Sequence, residues 1–140
     1  MKSLNVTVTF LSIALLGSCA NNSSQTSGKL SSLLGEQSQQ NGRACFYVRD
    51  IQGYGVLEHN VISVDARQNY YLLTVLPGCT SLQTASGALF QNDFNEICGG
   101  GRSKIRSGGD LCTIRSVYEF ENREQAFRTF DEVKEHANKQ

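Results

Sequence analysis

The chain has 140 residues, 13 basic against 13 acidic, with five cysteines, one proline and no tryptophan. Zero formal net charge argues against a general nucleic-acid binder or a polybasic membrane-surface protein. The length suits one small domain with a marginal core, so covalent staples are expected.

Met1-Lys2 supplies one positive charge, and Leu4 to Leu16 is a short apolar run containing Val6, Val8, Phe10, Leu11, Ile13 and Leu15. Asn, Ser, Gln and Thr follow directly after Cys19, so the apolar part falls short of the ~20 residues a membrane span needs. Small residues before Cys19 favour cleavage over stop-transfer. Leu16-Gly17-Ser18-Cys19 resembles the bacterial lipobox, which implies acylation of Cys19 and cleavage before it. Residues 1–18 are then the signal peptide. The mature chain loses Lys2 and carries a net charge of 12 − 13 = −1. Ala20 stands where an aspartate would direct retention in the inner membrane, so the expected address is the outer membrane, facing the periplasm.

Residues 19–44 are polar and free of aromatic residues, and they read as a lipidated N-terminus followed by a flexible tether. Gly28 and Gly35 bracket a helical turn around Leu30, Leu33 and Leu34. The domain is expected over 45–120. Its strands are period-2 runs: Cys45 to Ile51, broken by Gly53-Tyr54-Gly55; Val61 to Asp65; Tyr70 to Leu76, apolar on both faces and therefore central; Arg102 to Ser107; and Leu111 to Phe120. Between the third and fourth, Thr80 or Ser81 caps a short helix in which Leu82, Ala85 and Leu89 fall near helical spacing. Residues 91–96 form a polar loop around Phe94, and Gly99-Gly100-Gly101 reads as a linker. The order β-β-β-α-β-β predicts a mainly β protein, a small five-stranded, partly open barrel resembling the OB-fold. The tail, 121–140, predicts an amphipathic helix over Arg123 to Asn138. Asn122 and Gln125 form its capping pair, and Ala126, Phe127, Phe130, Val133 and Ala137 form a stripe that docks on the domain.

With Cys19 acylated, Cys45, Cys79, Cys98 and Cys112 remain in an oxidising compartment, and two disulfides are expected. No pair has the C-x2-C spacing of a zinc site, so no metal or cofactor is expected. Four cysteines allow three connectivities. The expected pairs are Cys79–Cys98, closing the excursion between the third and fourth strands, and Cys45–Cys112, tying the ends of the domain together.

Cys45-Phe46, Asp50-Ile51, Tyr54, Leu72, Pro77, Cys79, Leu82, Ala85, Ile97-Cys98 and Cys112 together resemble a family of small four-cysteine lipoproteins of unknown function from Gram-negative bacteria. The resemblance covers about residues 45–120 and implies lipid anchoring and a disulfide-stapled domain. It implies no substrate and no catalytic residue. Where that family often carries an aspartate soon after the third cysteine, this chain has Gly99-Gly100-Gly101-Arg102.

His59 and His136 read as surface residues, and neither stands in a nucleophile–base pattern; no G-x-S-x-G is present. Non-enzymatic binding of another envelope component is the expected function, with a membrane contact through the lipid and no nucleic-acid partner. The alternative is a small ligand or an anionic polymer. Arg102, Lys104 and Arg106, alternating on one strand face with Arg115 near them, are its candidate anion-binding residues. Tyr47, Tyr54, Tyr70 and Tyr71 could line a groove.

Overall fold

A computed structural model describes residues 23–139. The expected signal peptide, Cys19 and Ala20-Asn21 lie outside the described residues. The elements in chain order are α1 (Ser23–Ser38), β1 (Cys45–Tyr47), β2 (Ile51–Glu58), β3 (Val61–Ala66), β4 (Tyr70–Val75), β5 (Ala88–Gln91), β6 (Glu96–Cys98), β7 (Lys104–Ser107), β8 (Asp110–Phe120) and α2 (Arg123–Asn138).

Six strands form one antiparallel sheet in the order β2-β3-β4-β8-β7-β5, and β1 pairs with β6 in a separate ribbon. β4 is central, as its apolar run predicts, and all six of its residues are buried. Its alternate side chains serve two cores. Tyr71, Leu73 and Val75 join Ile62, Val64, Ile105, Ile114 and Val117 inside the curve of the sheet, where Phe46 and Ile97 of the ribbon fill the concavity. Tyr70 and Leu72 face the other way, onto Leu30 and Leu34 of α1 and Ala126, Phe130 and Val133 of α2. The curl is strong enough to bring the two edge strands together: the rings of Tyr54 in β2 and Phe90 in β5 are 6.0 Å apart. This is a half-barrel of more strands than the expected five, with both helices on its outer face.

Three departures from the predicted elements have physical causes. Gly53-Tyr54-Gly55 does not end a strand; β2 runs through it as an edge strand with two register shifts, a setting that tolerates glycine. The predicted helix after Thr80 is a single 3-10 turn, Ser81–Gln83, that buries Leu82. Leu89 then points outward and Phe90 inward, the period of a strand, because β5 pairs with β7. The OB-like order therefore does not hold, since only this 3-10 turn and the strands β5 and β6, and no α-helix, lie between β4 and β7.

The third departure is the tether. Residues 23–38 form α1, Leu34 is fully buried and Leu30 nearly so, and Arg43 makes a parallel bridge to Val117. Intrinsic propensity is poor here, and packing overrides it. Of the two glycines that break the pattern, Gly35 permits a close approach: a Cβ there would stand 3.1 Å from the Gln40 carbonyl oxygen, whereas one on Gly28 would meet only the Arg115 side chain at ordinary contact distance. The Tyr118 hydroxyl donates to the Ser31 carbonyl at 2.6 Å, and the Ser31 hydroxyl lies 2.9 Å from Ser116 Oγ and accepts from Thr74 Oγ1 at 3.2 Å. The buried hydroxyls thus satisfy one another, as a sealed contact requires.

α2 spans the predicted residues. The Asn122 side chain accepts from the Gln125 backbone N–H at 2.9 Å, and the Gln125 side-chain oxygen accepts from the Glu121 N–H at 3.0 Å. Ala126, Phe130 and Val133 are buried against the sheet, so the stripe docks on the domain.

The disulfides are Cys45–Cys98 and Cys79–Cys112, which corrects the expected pairing of Cys79 with Cys98 and Cys45 with Cys112. Cys45 and Cys98 face each other across the β1–β6 ribbon, their Cα atoms 4.2 Å apart. The antiparallel register of Val75 with Ile114 carries the chain after β4 back past Cys112, and there Cys79 meets it at a Cα separation of 5.5 Å. Asp110 pins the same segment, accepting from the Ser81 backbone N–H at 2.9 Å with the Ser81 hydroxyl 2.8 Å away. These bonds hold the Asp110 carboxyl below the usual carboxylate range.

Candidate functional site

The strand register decides which charged side chains share a surface. In β7, Ile105 and Ser107 point into the core, while Lys104 and Arg106 point out. β7 lies between β5 and β8, so each basic residue has a neighbour on both sides: Arg106 stands between Leu89 and Leu111, and Lys104 between Gln91 and Thr113. Leu89 is 54% exposed and Leu111 48%. Arg106 therefore crosses a row with two uncovered leucines, at the β5–β7 end of the outer face, where no residue joins the core under the two helices.

Beside this row lies a surface concavity of about 750 Å³ in which Arg102 and Lys104 meet Leu89, Asp93 and Phe94. Phe94 is 84% exposed, an apolar ring held in solvent by the loop between β5 and β6. Arg102 belongs to the turn before β7 rather than to the strand. Of the predicted basic set, Lys104 and Arg106 share the strand face, and Arg102 joins Lys104 in the concavity. None of the three makes an ion pair among the described residues. Arg115 does not join them; at the register shift in β8 its guanidinium lies close to Gly28 of α1. The structure thus adds three exposed apolar residues to the basic strand. Sequence reasoning passed over Leu89 as a helix-face residue and Phe94 as part of a polar loop. A lone aromatic in the run Gln91-Asn92-Asp93-Phe94-Asn95-Glu96 is the signal that could have found it.

The tyrosines do not form one groove. Tyr70 and Tyr71 are buried on opposite faces of β4, and burial raises the Tyr71 phenol above its ordinary value. Tyr47 lies under the Arg49 guanidinium at 4.8 Å, and Tyr54 packs edge-on to Phe90. His59 and His136 are both exposed. One group of ligand-type side chains stands close together among the described residues, Cys45, Glu96 and Cys98, but both sulfurs are joined in the disulfide.

Among the described residues no helix is long and apolar enough to cross a membrane. A model described as "Family of unknown function (DUF6491)" matches residues 1–136. No curated protein and no solved structure matches the chain.

Proposed function

The chain belongs to DUF6491, a family of unknown function, and from that starting point we propose that it is a lipid-anchored, non-enzymatic module of the bacterial envelope that docks a protein partner through the face of β5, β7 and β8. The observation that carries this reading is the row Leu89–Arg106–Leu111 with Phe94 beside it. An exposed aromatic ring and an arginine are residue types enriched in protein interfaces, and the two leucines add uncovered apolar area beside them. Arg106 has a leucine on each side, which suits burial against a protein, while Lys104 between Gln91 and Thr113 has the polar surroundings an anionic polymer would use. Charge complementarity calls for a partner with acidic groups around an apolar patch. The mature chain has a net charge of −1, so the basic character is local to this face and gives orientation more than general attraction.

Anchoring follows from the Leu16-Gly17-Ser18-Cys19 motif. A single acyl chain binds a membrane only marginally, and two or more make the attachment stable at about 0.8 kcal/mol per buried CH2. Cys19→Ala is expected to move the protein from the detergent phase to the aqueous phase, or to leave it unprocessed. Identical partitioning of variant and wild type rejects the anchor. Fractionation is expected to place the lipidated protein in the outer membrane, with its domain in the periplasm.

The docking test uses crosslinked, solubilised envelopes. A protein recovered in stoichiometric amount with wild type is expected to be lost with Phe94→Asp and with Arg106→Glu. Binding that survives both substitutions removes this face from consideration. Recovery of glycan or lipid without protein, dependent on Arg102, Lys104 and Arg106, would replace the protein partner with an anionic polymer.

A further inference from the structure

A second site shares no lining residue with the docking face. A cavity of about 530 Å³ opens where α1 and α2 meet the β2–β3 turn and the chain after β4. That volume is in the range of small-molecule sites. Its apolar wall is Leu30, Leu76, Pro77, Phe130 and Ala137, and Leu76 is 41% exposed there. The disulfide of Cys79, another lining residue, fixes this wall to β8.

The polar groups are few and specific. Lys134 Nζ and the Glu58 carboxylate pair at 2.5 Å, so their charges cancel at the rim. A charged headgroup at this rim would meet the like charge of the pair about as closely as the opposite one, so the pair offers it no net attraction. Asn60 also lines the cavity, and its side-chain amide nitrogen is buried with no hydrogen-bond partner. A buried donor left unpaired is costly, and rotation of the Asn60 side chain into the cavity would let it donate to an acceptor oxygen brought in from outside. Exposed His59 completes the rim.

We propose that this cavity binds a single-chain amphiphile with an uncharged head: an acyl chain against the apolar wall, and an ester or amide carbonyl oxygen accepting a hydrogen bond from Asn60. The ligand is a separate molecule. The site is independent of the docking face and of the identity of any protein partner.

The test uses N-phenyl-1-naphthylamine, an uncharged apolar fluorophore without a carbonyl, on the full chain both in its lipidated form and as Cys19→Ala. Fluorescence should rise with both forms and be displaced by monolauroylglycerol at concentrations at least about tenfold below those needed of laurate or dodecyltrimethylammonium, a ratio worth about 1.4 kcal/mol. Ala137→Trp, which fills the cavity, should abolish the signal; Leu76→Asp, at an exposed position, is the second variant should the first fail to fold. Asn60→Leu should weaken monolauroylglycerol while leaving the fluorophore bound, a split that a merely unfolded variant cannot produce. Equal displacement by the charged chains overturns the uncharged head. Signal unaffected by both cavity variants overturns the site. Binding by Cys19→Ala but not by the lipidated form shows that the protein's own acyl chain fills the cavity, and overturns a separate ligand. Loss of protein capture in the docking test with this binding intact rejects the face alone.

Discussion

Gly99→Ala is expected to destabilise the protein by about 3 kcal/mol or more, a large part of a small domain's stability of about 5–15 kcal/mol. A methyl group there would overlap the Gly42 carbonyl oxygen and stand 2.8 Å from the Val117 backbone nitrogen. Those are backbone atoms, which cannot rotate away as a side chain can. They also belong to one seam. Val117 N–H donates to the Gly42 carbonyl at 2.8 Å, Ala44 N–H to Val117 at 3.2 Å, and Gly99 N–H to Ala44 at 3.2 Å. Gly100 and Gly101 continue it, donating to Arg115 and Ile114 at 2.9 and 3.0 Å. Forcing the strands apart would break several of these bonds beyond the ~1–3 kcal/mol of ordinary overpacking. Gly53→Ala is the control. Nothing lies within 4 Å of a Cβ at that position and its φ is not positive, so its effect should stay within about 1 kcal/mol. Urea unfolding of the two variants decides the matter: equal midpoints would mean that Gly99 is a free linker after all.

Leu34→Ala is expected to cost about 2–5 kcal/mol, the range for truncating a buried leucine when the site cannot collapse around the gap. Leu34 is 0% exposed and sits in the core between α1, α2 and the outer face of the sheet. Its loss also loosens the contact that closes over Ser31, Thr74, Ser116 and Tyr118. Ser32→Ala on the exposed side of the same helix should change stability by no more than about 0.5 kcal/mol. A flexible tether would show no difference between the two. A urea midpoint for Leu34→Ala equal to that of wild type would separate α1 from the folding unit.

How much of this was legible differs element by element, and the reason is the range of the signal. α2 could be read to its ends because its stripe lies within sixteen consecutive residues and its cap directly before them, where 3.6-residue periodicity and short-range hydrogen bonds suffice. β3, β4 and β8 were legible because β-branched and aromatic residues crowd them, and β4 was legible as central because both its faces are apolar. The alternation that puts Lys104 and Arg106 on one face is likewise a local property of the strand. The lipobox resemblance is local too, and needs no fold to be read.

What depends on residues far apart in the chain could be decided only by the tertiary structure. α1 has three leucines among serines and glycines, too little to form alone, and it exists because the outer face of the sheet covers Leu30 and Leu34. Gly99 looks like any flexible glycine until Gly42 and Val117 arrive beside it. The cysteine partners follow from strand register, and a choice among three pairings cannot be made from spacing alone. Leu89 and Phe94 became candidates for recognition when pairing with β7 turned one outward and the loop left the other uncovered. The sequence by itself determined the local elements, the alternation of the basic strand and the expected anchor. Packing between distant segments decided how far the domain extends, which sulfurs bond and which apolar side chains remain in water, because those depend on contacts that no local period encodes.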